Sequence, residues 1–133
     1  MNIFVLDKNP YEAARQACDK HVVKMILESA QMLCAVHPEG VAPYKRSFYN
    51  HPCTKWVRRY GKTHKSEEVI QWCRCNRPYL PIGELTKHPK CMPDKYKVDC
   101  VVKSYQNYYN GEKAYFAKWK DGPVPSWFTG VFR

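Results

Sequence analysis

No proline or glycine interrupts the chain between Pro10 and Pro38, and this uninterrupted stretch limits the fold more than any other feature. Ahead of it, Asn9 can cap, Pro10 suits the first helical position and Glu12 stands where a capping box places its acid. Apolar or small residues then recur at Ala14, Cys18, Val22, Met25, Ile26, Ser29, Ala30 and Leu33, the stripe of an amphipathic helix. Pro38 and Gly40 in "HPEG" end it. A single helix over this stretch would be a rod of about 37 Å.

Within it, "CDKHVVKMILESAQML" (residues 18–33) mixes charge and imidazole in a way a solvated face does not require. At 100° per residue, His21 and Glu28 fall about 20° apart and border the apolar stripe. Lys24, Gln31 and Lys20 follow round the helix, and Asp19 points elsewhere. The edge of a buried face is where partial desolvation moves pKa values, so acid–base groups are useful there. The plainer alternative is an ordinary i,i+4 pair of Lys24 with Glu28, with His21 satisfied at the core edge.

The rest of the chain sets the class. "NIFVLD" predicts a short N-terminal extended segment, "SEEVIQWC" a second helix, "NRPYLPIGELTKHPKCMP" an irregular loop, "PDKYKVDCVVKSYQNYY" a third helix, and "GEKAYFAKWK" a fourth closed by "DGPVPSWF". With 133 residues, 44% of them hydrophobic, the expectation is a mostly α, compact single-domain helical bundle over 1–133. No apolar run is long enough for a bilayer and no export signal opens the chain, so the expected location is the cytoplasm.

Net charge is +10, which on a small domain points to a polyanionic partner. Residues 40–66 contain no Asp or Glu but carry Lys45, Arg46, Lys55, Arg58, Arg59, Lys62 and Lys65, interleaved with Tyr44, Phe48, Tyr49, Trp56 and Tyr60. Lys20, Lys24, Lys55, Arg58, Arg59, Lys62 and Lys65 are candidates for phosphate contact, and Trp56 or Tyr60 for stacking on a base. A carboxylate beside a basic, aromatic surface suits chemistry on nucleic acid, so Glu28, with His21 and Lys24, is the candidate catalytic group.

The seven cysteines are expected as free thiols. Cys73, Cys75, Cys91 and His64 invite a zinc reading, but C-x-C is poor spacing for it, and neither metal nor cofactor is expected. His51 and Cys53 in "HPC" are too close in sequence for a nucleophile–base pair. There is no glycine-rich phosphate loop, H-E-x-x-H or G-x-S-x-G.

Two resemblances bear on function. The blocks "MNIFVLD", "CDKHVVKMILESAQML", "NHPCTKW", "RYGKTHKSEE", "MPDKYK", "EKAYFAKWK" and "PSWF" resemble a group of small phage-encoded proteins nearly end to end. Those carry an additional helical segment where only Val57 and Arg58 intervene here. An infected host's cytoplasm is the location this implies. "DKH" followed by Glu28 seven residues after His21, together with the aromatic "VPSWF", also resembles the T-even phage pyrimidine-dimer DNA glycosylases (endonuclease V).

That second resemblance implies Glu28 as catalytic carboxylate, His21 as a DNA-contacting neighbour, and an N-terminal α-amine that attacks the sugar C1′ to form a Schiff base. An α-amine with a pKa of about 8 suits this at neutral pH. Its counterpart would be Asn2, provided Met1 is removed. Removal before Asn is not expected, so either Met1 supplies the amine or the lyase step is absent. Leu27 and Gln31 stand where that family has arginines. The alternative function is a non-enzymatic binder of nucleic acid, or of a nucleotide second messenger held by His21, Lys24, His51 and Lys55, acting as a host-defence antagonist. A third is an inhibitor of an acidic host protein. The sequence leaves the oligomeric state open.

Polyanion binding predicts a steep salt dependence. Affinity for a short DNA duplex should fall by roughly 0.9 log units per log unit of salt for each phosphate contacted. Changing both Arg58 and Arg59 to Ala should weaken binding and flatten that slope in a fluorescence-anisotropy titration. A salt-independent affinity would contradict it.

Overall fold

The computed structural model describes residues 2–60, 75 and 86–133. Residues 2–9 form the extended lead-in. The Asn9 side chain accepts the Tyr11 N–H at 2.9 Å, and Pro10 fixes the first helical φ, so α1 (Pro10–Arg15) starts where the sequence places it.

The long rod does not form. The Gln16 carbonyl accepts the Trp119 indole N–H at 3.1 Å, although a continuous helix would keep it for Lys20. The Asp19 N–H donates to the Lys118 carbonyl at 2.9 Å instead of to Arg15. The Asp19 carboxylate accepts the Lys120 N–H at 3.2 Å. These bonds replace helical ones at no net loss of pairing, so the break costs little. α2 (Asp19–Cys34) restarts with 16 residues, a length of about 24 Å, and an acid in its first turn where the helix dipole favours one.

The restart also decides which side of α2 is buried. Cys18, His21, Glu28 and Met32 are buried and Met25 half-buried, while Val22, Val23, Ile26 and Leu27 are exposed. Of the expected stripe, Cys18, Ala30 and Leu33 are buried and Met25 and Ser29 half-buried, while Ala14, Val22 and Ile26 are exposed, so the buried face is shifted round the helix toward His21 and Glu28. Burying His21 and Glu28 is feasible because each finds a hydrogen-bond partner, Tyr109 and the Asn2 N–H respectively.

Two compact units are distinguishable, Met1–Ile3 with Lys24–Pro89, and Phe4–Val23 with Lys90–Arg133. The second is built on aromatic packing. Leu6, Cys18, Met92, Tyr96, Tyr105 and Tyr109 are buried together, with Phe4, Phe116, Trp119, Trp127 and Phe132 packed round them. The aromatic C-terminus belongs to this core. Trp127 meets Tyr109 edge-on at 5.7 Å and donates its indole N–H to the Gln16 side chain at 2.8 Å.

The expected third helix is split. A 3₁₀ turn (Asp94–Tyr96) precedes α4 (Val101–Tyr108). Between them the Ser104 hydroxyl accepts the Val98 N–H at 2.9 Å, and Lys90 donates to the Asp99 carbonyl at 2.9 Å, so side chains take the bonds a helix would use. The expected fourth helix is reduced to one π turn (Tyr109–Lys113). Gly111 lies directly under the Tyr96 ring. The Asn110 side-chain oxygen accepts the Thr129 and Gly130 N–H groups at 2.7 and 3.1 Å. Lys118, Trp119 and Lys120 are then non-helical, engaged with Gln16 and Asp19.

In the first unit α2 stops as "HPEG" requires, with Gly40 at a φ of 82°. A further helix, α3 (Pro52–Tyr60), rises from the basic stretch, where no helix was expected. His51 caps it, its Nδ1 accepting the Cys53 N–H at 3.2 Å, with Pro52 at the first position. Just before it, Phe48 has a φ of 48°, a left-handed conformation costing on the order of 1–3 kcal/mol for such a residue.

Among the described residues the helices are these four and there is no strand, so the class is mostly α. None of these helices is long and apolar enough to cross a membrane. The described cysteines form no disulfide. The "SEEVIQWC" helix, Cys73, His64 and the first part of the proline-rich loop lie outside the described residues.

Gly111→Ala tests the aromatic unit. The added Cβ would overlap the Tyr96 ring, so urea denaturation should show a loss of roughly 1–3 kcal/mol. Gly122→Ala, with open space around it, should stay within about 0.5 kcal/mol of the parent.

Candidate active site

Glu28 owes its position to the α2 restart, and its side chain is only 12% exposed. A carboxylate taken that far from water needs donors. Its Oε2 accepts the Asn2 backbone N–H at 3.0 Å, and its Oε1 lies 3.5 Å from Lys24 Nζ, one turn earlier. Lys24 is 60% exposed, so the ion pair itself adds only about 0.5 kcal/mol or less. What it supplies is a primary amine beside a mostly buried carboxylate.

Asn2 is held in turn. Its side-chain oxygen accepts the Ile3 N–H at 2.9 Å and lies 3.6 Å from Cys53 Sγ, which donates to it. Cys53 is wholly buried at the second position of α3. Its own N–H is fixed by His51, so one helix start anchors the chain's second residue beside Glu28. Accepting that N–H requires an unprotonated Nδ1 on His51. The electrostatics agree. Burial lowers the His51 pKa, the N-terminal ammonium lowers it further, and Glu28 opposes them. Asn2, Lys24, Glu28, His51 and Cys53 thus form one cluster of acid, amine and imidazole. Such a group can hold a proton near a nucleophilic nitrogen and stabilise positive charge that develops close by.

The other candidates lie in varied settings. His21 is buried, with Nδ1 2.5 Å from the Tyr109 hydroxyl and the Phe4 and Phe116 rings at 4.4 and 5.3 Å. Burial first, and Cys18 second, push the Tyr109 phenol far above its usual pKa, so it stays a neutral hydroxyl. Lys20 is exposed, its Nζ 4.8 Å from the Phe116 ring centre. Lys55 and Trp56 line a cavity of about 230 Å³ with Pro52, Thr86, Lys87 and Pro89. The Trp56 indole donates to the Thr86 carbonyl at 3.5 Å and stands edge-on to His88 at 5.1 Å. Burial lowers the His88 pKa to about 4, so that ring carries no charge at neutral pH.

Arg58 lies over the Tyr49 ring at 3.6 Å and donates to the Tyr49 carbonyl. Arg46 approaches the same ring at 4.7 Å and donates to the His37 carbonyl at 2.8 Å. The Arg59 side chain, Lys62 and Lys65 lie outside the described residues. Sequence reasoning weighed His51 and Cys53 as a catalytic pair and His51 as a nucleotide contact, and missed that together they start α3 and hold Asn2. The signal was present in "NHPC": a polar residue before Pro at a helix start is a capping pattern.

The family model for pyrimidine dimer DNA glycosylase matches residues 1–73. No match was found among curated proteins or among solved structures. The matched segment is more than half of the 133 residues and contains the whole Asn2–Glu28–Cys53 cluster. On that extent of match, the chain belongs to the pyrimidine dimer DNA glycosylase family.

Proposed function

We propose that this protein is a DNA glycosylase with AP-lyase chemistry, acting on damaged or modified bases, with Glu28 as its catalytic carboxylate. The observation that carries this is the 3.0 Å bond between Glu28 and the nitrogen of residue 2, at the N-terminal end where the family resemblance places the reacting amine.

In this mechanism a neutral amine attacks the sugar C1′ while the C1′–base bond breaks and the base leaves with its electron pair, taking up a proton. The C1′–O4′ bond then breaks, O4′ taking a proton from Glu28, and leaves an imine between the amine nitrogen and C1′. Transfer of a C2′ proton to water expels the 3′ phosphate, and hydrolysis of the imine frees the amine. Glu28 accepts the proton that the amine sheds and stabilises the positive charge growing on the sugar. The mostly buried position of its carboxylate makes that stabilisation stronger than it would be in water.

Which nitrogen reacts depends on the first residue. If Met1 is removed, the Asn2 nitrogen is the α-amine. If Met1 stays, that nitrogen is an amide whose lone pair is delocalised, and the amine is then the α-amine of Met1 or Nζ of Lys24. DNA is held by phosphate contacts from Lys20, Lys55, Arg58, Arg59, Lys62 and Lys65, and Trp56 with Lys55 and Lys87 offers a basic, aromatic recess for a displaced base. His21, packed against Tyr109, acts by positioning α2.

The decisive comparison is wild type against Glu28→Gln on ultraviolet-irradiated and abasic duplexes, with borohydride to trap any imine. Gln can still accept the Asn2 N–H, so the fold and DNA affinity should persist. Turnover should fall by roughly 10²–10⁴-fold. Peptide mapping of the trapped species should place the DNA on the N-terminal residue or on Lys24. If wild type neither nicks nor crosslinks either substrate, the glycosylase reading fails and the non-enzymatic binder replaces it.

A further inference from the structure

We propose that Phe48 is a wedge that enters the base stack of duplex DNA, opening the helix beside the Glu28 cluster. The inference rests on the reading of this chain as a DNA-acting protein and extends it to how the duplex is opened. Phe48 is 67% exposed, although a large apolar ring gains most by burial. Its φ of 48° is a conformation that Gly or Asn adopts at little cost and Phe does not. Neither burial nor local backbone preference accounts for a phenylalanine there. Strained, exposed residues of this kind concentrate where a ligand is met.

The surroundings identify the ligand. The Phe48 carbonyl accepts the His51 N–H at 2.9 Å, so the tip is tied to the residue that caps α3. Arg46 and Arg58 are both held over the adjacent Tyr49 ring, each with a hydrogen bond to a main-chain carbonyl. Their charges are thereby fixed beside the tip, in a stretch with no acid from residue 40 to 66. One rigid apolar ring framed by immobilised arginines matches a polyanion with an apolar stacked interior, where arginines take phosphates and the ring separates two bases. An anionic lipid surface is the less fitting partner, because stable anchoring there takes more apolar burial than one ring supplies.

Position adds a functional consequence. From Phe48 the chain reaches His51 in three residues, and Cys53 holds the Asn2 side chain beside Glu28. A ring inserted at Phe48 would therefore loosen the stack close to the reacting amine. That would make a sugar C1′ accessible that an intact duplex conceals.

The test uses Phe48→Asn, which tolerates the left-handed backbone and removes the ring, and Phe48→Tyr, which keeps it. The probe is a duplex containing a tetrahydrofuran abasic analogue next to 2-aminopurine, whose fluorescence rises on unstacking. Wild type and Phe48→Tyr should raise the fluorescence. Phe48→Asn should bind about tenfold more weakly to the duplex without raising it, and bind the corresponding single strand as wild type does. Equal fluorescence and affinity for Phe48→Asn, or no rise with wild type, would overturn the wedge. So would a Phe48-dependent association with phosphatidylserine vesicles in place of duplex. Borohydride trapping on a single-stranded abasic oligonucleotide needs no unstacking. Failure of wild type there counts against the glycosylase chemistry alone, whereas the fluorescence result bears on the wedge alone.

Discussion

The exchange of hydrogen bonds between Gln16–Asp19 and Lys118–Lys120 is the constraint from which much of the structure follows. The Trp119 indole takes the Gln16 carbonyl, and the Asp19 amide and carboxylate pair with Lys118 and Lys120. Each bond made there is one withdrawn from a helix on either side. The N-terminal rod breaks between α1 and α2, and after the π turn at Tyr109–Lys113 the expected fourth helix does not continue through Lys118–Lys120. Local propensity favours helix at both places by tenths of a kcal/mol per residue. Several satisfied, partly buried backbone and indole bonds outweigh that preference.

Polar groups lie on the buried side of α2. His21 and Glu28 are tolerated there since each has a partner of matching chemistry, a neutral phenol for the imidazole and a main-chain N–H for the carboxylate. Their surroundings differ. His21 sits among aromatic rings. Glu28 keeps a thin exposure to water, with a lysine on one oxygen and the Asn2 N–H on the other.

The basic stretch shows a second way of placing charge. Its arginines are not simply solvated. Arg46 and Arg58 are fixed over Tyr49, and the strained turn at Phe48 leads into the His51 cap of α3. A guanidinium already held by a ring and a carbonyl loses little further freedom when it meets a phosphate, which favours specific over diffuse contact.

Much of this was legible in the residues. The Asn9–Pro10 start, the stop at "HPEG", the helical class, the basic acid-free stretch and the spacing of His21 and Glu28 all follow from short-range rules, because caps, breakers and charge act within a few residues. The family likeness was legible for the same reason, being carried by local blocks. What required the tertiary structure was every feature decided by partners distant in sequence. These are the break at Gln16, the shift of the buried side of α2 toward His21 and Glu28, the loss of the fourth helix under Tyr96 and Asn110, and the approach of Asn2 to Glu28 and Cys53. At Gln16 and Asp19, hydrogen bonds to residues far along the chain replace helical bonds four residues away; in the other cases the deciding contact is packing or a side-chain bond to a distant residue. No reading of periodicity contains the acceptor that wins.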